Sequence, residues 1–408
     1  MRPTVRFIHT ADLHLDRPFK GIQRVSPSIY EAIKNSTFIA LERLINLAID
    51  EQVDFVLFVG DIFDQVYPSL YAEVRFKQLL HKLSEKEITS YISFGNHDYN
   101  QTIKQHFSDI EHCHVFSRQK VTSFYYQRNQ EPLVRIHGFS YEERAVKENM
   151  ATEFKYADHV PYHIGMLHGS AGGYEEHAPY APFQLQQLKD AGFDYWALGH
   201  IHKRLTLSEN PFVVYPGNIQ GGSKKETGEK GCYIVELTDT TTTLTFHPLQ
   251  VLKFVNVDIA VDEMTSFSQL YSILLENIPE SQEKTLYTIT LKNVTANLFQ
   301  GDAYTDIEDI INVFNEGQIN REDWSYIIDI KLNVHAEKNK TVNDPFLKTL
   351  GENINTDLLN ESKGSLWRHQ RARHFLDELT TEEEIEIEEE ALAVVKAILV
   401  GEEINENN

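Results

Sequence analysis

Phe55-Val56-Leu57-Phe58-Val59-Gly60-Asp61-Ile62-Phe63-Asp64 is the stretch that decides the fold class of this chain. The run from Phe55 to Val59 has no polar position, so it reads as a strand covered on both faces rather than one with a wet side. Before it, Ile33, Phe38, Leu41, Leu44, Ile45 and Ala48 recur at helical spacing, and a second helical pattern runs from Tyr71 to Leu83. Strands are expected at Val5 to Thr10 and at Thr89 to Phe94, each feeding a polar motif. This alternation of strand and helix indicates an α/β fold with a central sheet between helices.

After about Val121 the pattern turns β-rich, with Ser123-Phe124-Tyr125-Tyr126 and Leu133-Val134-Arg135-Ile136. Strand-like runs return at His163 to Leu167 and Tyr195 to Leu198, each ending in a histidine motif. Strands joined by Gly-rich turns then carry the chain to about Leu252. We therefore expect a first domain over residues 1–252 and a small α+β domain over 253–345 in strand-helix-strand-helix-strand order. A C-terminal helical segment with an acidic tail is expected over 346–408.

Composition bounds the function. At 408 residues, with 41% hydrophobic and 24% charged residues, the chain is ordinary for a soluble protein of more than one domain. It lacks an apolar run near the roughly 20 residues of a membrane span, and its N-terminus does not read as a signal peptide. Cys113 and Cys232, its two cysteines, form no close-spaced pair. A cytoplasmic location is the expectation. The net charge of −23 argues against a protein that coats nucleic acid nonspecifically. From Thr381 onward ten Glu and one Lys contribute −9 of that charge, so the imbalance is concentrated in the tail.

Five short motifs fall where apolar runs stop: Asp12-Leu13-His14, Gly60-Asp61, Gly95-Asn96-His97-Asp98, Leu167-His168-Gly169 and Gly199-His200-Ile201-His202. Carboxylate oxygen mixed with imidazole nitrogen suits Mn, Fe or Zn better than Mg or Ca. Asp12 and His14, two apart, are expected to alternate on one strand and point into one site. Asp61 is the natural bridge between two cations, because a carboxylate has two oxygens. Asp64 either orients a ligand or caps the following segment. His97 is expected to face the substrate, stabilise developing charge and protonate the departing oxygen. Asp98 is expected to hold that imidazole in its useful tautomer. Any one motif alone has an ordinary reading as a polar turn or helix cap. Histidines elsewhere, such as His81, His106, His112, His163 and His177, are read as structural.

Together the five motifs resemble the calcineurin-like metallophosphoesterase superfamily over roughly residues 5 to 220. That resemblance implies a four-layered α/β sandwich of mixed sheets flanked by helices, with two divalent metal ions at one edge. It places one ion with Asp12, His14, Asp61 and His202, and the other with Asp61, Asn96, His168 and His200. His97 becomes the catalytic histidine, and water attacks phosphorus in line.

The flanks narrow the resemblance. Phe7 to Asp16, Pro18 to Gly21, Phe58 to Asp64 and Tyr215-Pro216-Gly217-Asn218 look like the DNA-repair exonuclease branch that holds the SbcD-like nuclease subunits, and within it the bacterial YhaO-type proteins. The resemblance implies Mn2+ as the ion, DNA as substrate, a homodimer, and a capping domain after the nuclease domain. It also implies an SMC-like (SbcC-like) coiled-coil ATPase partner. Leu366, Trp367, Phe375, Leu376 and Leu379, interleaved with Arg368, Arg371 and Arg373, are either a docking element for that partner or packing against the chain's own domain. Two other functions stay open at this point: a phosphatase or phosphodiesterase on a non-DNA substrate, and a metal-free scaffold on the same fold.

Overall fold

The computed structural model describes residues 2–334, apart from 20–24, 157–159, 173–179, 262–263, 265, 267–268, 280–281, 295–302 and 320, and also residue 387. In chain order the elements are β1 (Val5–Thr10), α1 (Pro27–Asp50), β2 (Phe55–Val59), α2 (Leu70–Ser84), β3 (Thr89–Ser93), α3 (Gln101–Gln105), β4 (Cys113–Val115), β5 (Thr122–Arg128) and β6 (Glu131–Gly138). They continue with β7 (Tyr162–His168), α4 (Leu185–Asp190), β8 (Tyr195–Gly199), β9 (Leu205–Glu209), β10 (Phe212–Tyr215), β11 (Gly231–Leu237) and β12 (Thr242–Pro248). Last come β13 (Leu252–Ala260), α5 (Leu270–Asn277), β14 (Lys284–Val294), α6 (Ala303–Glu316) and β15 (Ser325–Val334).

One six-stranded sheet runs β12-β11-β1-β2-β3-β4 and a second runs β5-β6-β7-β8-β10-β9. Strands β1 to β4 are parallel, with β11 antiparallel against β1. In the second sheet β6, β7, β8 and β10 are parallel, and β5 and β9 close its edges antiparallel.

The apolar run of β2 is resolved by its pleat. Phe55, Leu57 and Val59 face the second sheet, where they meet Val134, Ile164, Met166 and Ala197. Val56 and Phe58 face the other way, onto Leu41 and Ile45 of α1 and Phe76 and Leu80 of α2. A third core lies outside the second sheet, where Trp196 and Leu198 pack on Met150, Phe154 and Leu188. Three cores between helices, sheet, sheet and helices make the expected four-layered α/β sandwich. The first two helices start where local chemistry dictates. Ser26 Oγ accepts from Ile29 N–H with Pro27 at the first helical position, and Ser69 Oγ accepts from Ala72 N–H. Truncating Phe58, fully buried and 5.5 Å from the Phe76 ring centroid, would cost about 3–5 kcal/mol.

The chain divides into two compact units. Of the described residues, one holds those through Val255 with Gln282–Leu286 and Glu322–Trp324; the other holds those of Asn256–Ser281, Tyr287–Arg321 and Ser325–Val334. Strands β13, β14 and β15 form a three-stranded sheet in that order. Within the second unit, the buried Asn315 side chain clips α6 to β15, donating to Ile327 C=O and accepting from Ile327 N–H at 2.8 Å each. The C-terminal segment expected over 346–408 lies outside the described residues. Among the described residues, no helix is long and apolar enough to cross a membrane.

Candidate metal centre

Parallel strands place their carboxyl ends on one edge, and loops leaving that edge form the crevice where such folds bind ligands. Here β1, β2 and β3 of the first sheet and β7 and β8 of the second deliver all five motifs to one crevice. The turns are tight. Asp12 N–H donates to Gly60 C=O at 3.2 Å and His14 N–H to Asp61 C=O at 3.0 Å. Asp12, His14, Asp61 and His200 adopt positive φ, at 52°, 42°, 48° and 101°. Four non-glycine residues in that region at one site mark backbone strain, about 1–3 kcal/mol each, held by the surrounding packing. This corrects one sequence expectation. Asp12 and His14 do not alternate on a strand, because β1 ends at Thr10, and the left-handed turns aim both side chains inward instead.

The donor atoms converge. His14 Nε2 lies 2.9 Å from His202 Nε2 and 3.8 Å from Asp61 Oδ2. On the other side, His168 Nε2 is 3.3 Å from Asp61 Oδ2 and 3.0 Å from Asn96 Oδ1, which is also 3.1 Å from His200 Nδ1. Asp12 turns both carboxylate oxygens to His200 N–H, at 3.0 and 3.1 Å. Asp12, His14, Asp61, Asn96 and His168 are buried, whereas His97, His200 and His202 are half-exposed on the rim. Asp12, His14 and His202 form one group able to hold an ion, and Asp61, His168 and His200 a second. His14, Asp64 and His97 form a third.

The residues fit divalent cations. The His14–His202 and Asn96–His168 donor pairs lie 2.9 and 3.0 Å apart, close enough for the two donors of each pair to share one cation, and their mix of imidazole nitrogen and oxygen suits a divalent transition metal. Gly95 makes room for the second group: a Cβ there would fall on Asp61 Oδ1 and 2.7 Å from His168 Nε2. Gly60, at φ 77°, would likewise drive a Cβ into the His168 ring.

The surroundings of His97 differ from expectation. Its Nδ1 lies 2.8 Å from the backbone carbonyl of Asp64, and its N–H donates to Asp61 Oδ1 at 3.0 Å. Asp98 does not touch the imidazole. Its carboxylate accepts from Ile62 N–H (2.6 Å), Phe63 N–H (3.2 Å) and Gly95 N–H (2.7 Å), stitching the β2 and β3 loops together. Asp98 is fully buried with those amides aimed at it, so it ties the loops rather than orienting the ring. The Asp64 side chain is not merely a cap, since its Oδ1 is 3.1 Å from His14 Nδ1.

One residue escaped sequence reading. Glu226, in the loop between β10 and β11, places Oε1 3.1 Å from His202 Nδ1 and 2.8 Å from Arg17 Nη1. Its only sequence signal is an acid in a Gly- and Lys-rich stretch that otherwise reads as a solvated turn.

Charge is distributed to match. Burial opposes ionisation of Asp61, but His168, His97 and His14 outweigh it and hold its carboxyl well below the ordinary range. Burial also opposes a charged His168, yet Asp61 and Asp12 raise it to about 9. At Asp12 burial wins over the neighbouring histidines and the carboxyl rises. Burial and then Asp61 push Asp98 to about 7. Glu226 stays low despite burial, because His202 and Arg17 face it.

A crevice of clustered carboxylates, an amide oxygen and imidazoles at the carboxyl edge of two sheets is the centre of a metal-dependent phosphoester hydrolase. Residues 5–204 match the model of the calcineurin-like phosphoesterases, and the chain belongs to that family, whose members bind two divalent metals. It is 34% identical over 400 residues to the uncharacterized metallophosphoesterase YhaO of Bacillus subtilis (strain 168), covering 97% of this chain and 98% of that one. Among solved structures it is similar to a dimetal phosphatase from Danio rerio, at 12% identity and a TM-score of 0.38 over 60% of this chain and 96% of that one. It is also similar to the protein TT1561 of Thermus thermophilus, at 12% identity and a TM-score of 0.37 over 61% of this chain and 100% of that one.

Proposed function

We propose that this chain is a Mn-dependent nuclease that hydrolyses phosphodiester bonds in DNA, acting as an exonuclease with an SMC-like ATPase partner. The observation that carries the hydrolytic part is the convergence of Asp12, His14, Asp61, Asn96, His168, His200 and His202 from two sheets, with His97 on the rim beside them. Two divalent cations, when bound, supply Lewis-acid stabilisation of charge on the phosphoryl oxygens.

The chain's own residues do the rest. Asp61 reaches both ligand groups, so it holds them at a fixed separation. With Nδ1–H of His97 donating to the Asp64 carbonyl, Nε2 is the nitrogen left to face substrate, and the ring in its protonated form carries there the proton it can give. The leaving alkoxide needs that proton, and the half-exposed ring can meet an entering strand. The support for DNA is the likeness of Phe7 to Asp16, Phe58 to Asp64 and Tyr215 to Asn218 to the DNA-repair exonuclease branch, together with a second α+β unit after the phosphoesterase fold. For the partner and for a homodimer, the support is that same likeness.

End-labelled single- and double-stranded DNA and a generic phosphomonoester, each incubated with the purified chain and Mn, test the reading. Cleavage of DNA is expected; fast monoester turnover with no DNA cleavage would assign a phosphatase instead. Deleting residues 365–408 is expected to abolish co-purification of the ATPase and to spare small-substrate hydrolysis. Unchanged co-purification would refute docking through that segment.

A further inference from the structure

We infer that Glu226 is a positioning residue for the His202 ligand, fixing which ring nitrogen it offers to the metal centre. The inference rests on the two-ion reading of the site. Glu226 is held from four directions. Oε2 accepts from Asn218 Nδ2 at 2.6 Å and Gly222 N–H at 2.9 Å, and Oε1 accepts from Arg17 Nη1 at 2.8 Å. The fourth neighbour is His202 Nδ1, 3.1 Å from Oε1.

A carboxylate beside an arginine and two N–H donors has no proton to give. The hydrogen between Glu226 and His202 therefore belongs to Nδ1 of the ring. In the neutral ring that assignment leaves Nε2 as the lone-pair nitrogen, and Nε2 faces His14 Nε2 at 2.9 Å, on the side of the centre that also holds Asp12. The same loop also holds the main chain of His202, since the Lys230 Nζ side-chain ammonium donates to His202 C=O at 2.9 Å. His202 is thus gripped at main chain and ring by the loop that follows β10. Arg17, three residues past His14, ties the same carboxylate to the opposite ligand turn, and lies 3.8 Å from Asp64 Oδ1. One half-buried acid therefore couples the first and last of the five motifs.

Carboxylates that accept from a metal-binding imidazole typically contribute 10–100-fold to metal affinity. Titration of Mn into the metal-free full-length protein, followed by calorimetry, is the test, with Glu226→Ala, Glu226→Gln, His202→Ala and the Glu226→Ala/His202→Ala pair. Wild type is expected to bind two ions. Glu226→Ala should weaken one of them by about 10–100-fold and leave the other unchanged. Glu226→Gln, of the same size and still able to accept through its amide oxygen, should recover much of that loss. In the His202→Ala background, Glu226→Ala should add no further loss. Two unaltered binding events in Glu226→Ala would overturn the inference, as would equal weakening of both with a fall in the melting temperature of the metal-free protein. If wild type itself bound no ion, the two-ion reading would fail first, which separates the two claims.

Discussion

His14 and His202 face each other through their Nε2 atoms at 2.9 Å, and each turns its Nδ1 to a carboxylate, Asp64 for His14 and Glu226 for His202. The two imidazoles arrive from loops 188 residues apart in sequence. Paired lone-pair nitrogens at that distance repel unless a proton or a cation lies between them. With Asp12 beside them, the two imidazoles form a group able to hold a cation, and the consequences can be measured.

Replacing His97 by Ala should abolish hydrolysis and leave metal content unchanged. The loss expected for a general acid is about 10²–10⁴-fold. The ring packs edge-on against His14, with centroids 4.9 Å apart, so a drop in metal content alongside activity would show that His97 is a ligand.

Asp61→Ala should strip both ions, whereas His202→Ala should weaken one. Asp61 has an oxygen within 4 Å of imidazoles in both groups, His14 and His168. Elemental analysis after gel filtration checks this; retention of one ion at full occupancy would contradict the bridge.

Gly95→Ala should leave the fold intact and empty the Asp61–His168 side. The added methyl would collide with Asp61 Oδ1 and His168 Nε2, two groups fixed by packing rather than flexible ends. Circular dichroism should match wild type while metal binding falls; unchanged affinity would mean the β3 loop yields.

Metal binding should release protons and strengthen with rising pH. In the metal-free protein His168 titrates at about 9, because Asp61 and Asp12 outweigh its burial, and a ligand imidazole must be neutral. Its folded value lies above the ordinary 6.5, so its contribution to stability is complete below about 6.5 and fades as pH rises through 9. Chelated protein should lose stability over that window, and saturating Mn should reverse the trend. Calorimetry in buffers of different ionisation enthalpy, at pH 7 to 9, reads the protons; a pH-independent affinity would contradict the assignment.

The residues that converge on the crevice were legible in sequence because each of their motifs follows a strand whose apolar run announces its end. The layers were legible for the same reason: β2 has no polar position, so it needed cover on both faces. The partners of those residues were not. Glu226 meets Arg17 across 209 residues, through a loop whose Gly and Lys content resembles any solvated turn. Asp98 sits next to His97 in sequence and was expected to hold it. Instead, three backbone amides claimed its carboxylate, and a carbonyl from the β2 loop took the ring. The turns of Asp12 and His14 escaped because left-handed φ at non-glycine residues is set by the neighbouring Gly60 and Asp61 carbonyls, not by local propensity.

The most direct test of the whole account is a paired assay of the purified chain on end-labelled DNA, with chelator and then with Mn, counting bound ions in the same sample. The account predicts two ions per chain and cleavage that appears with Mn and disappears in His97→Ala. DNA left intact while the two ions are bound, or cleavage that persists in chelator, would contradict it.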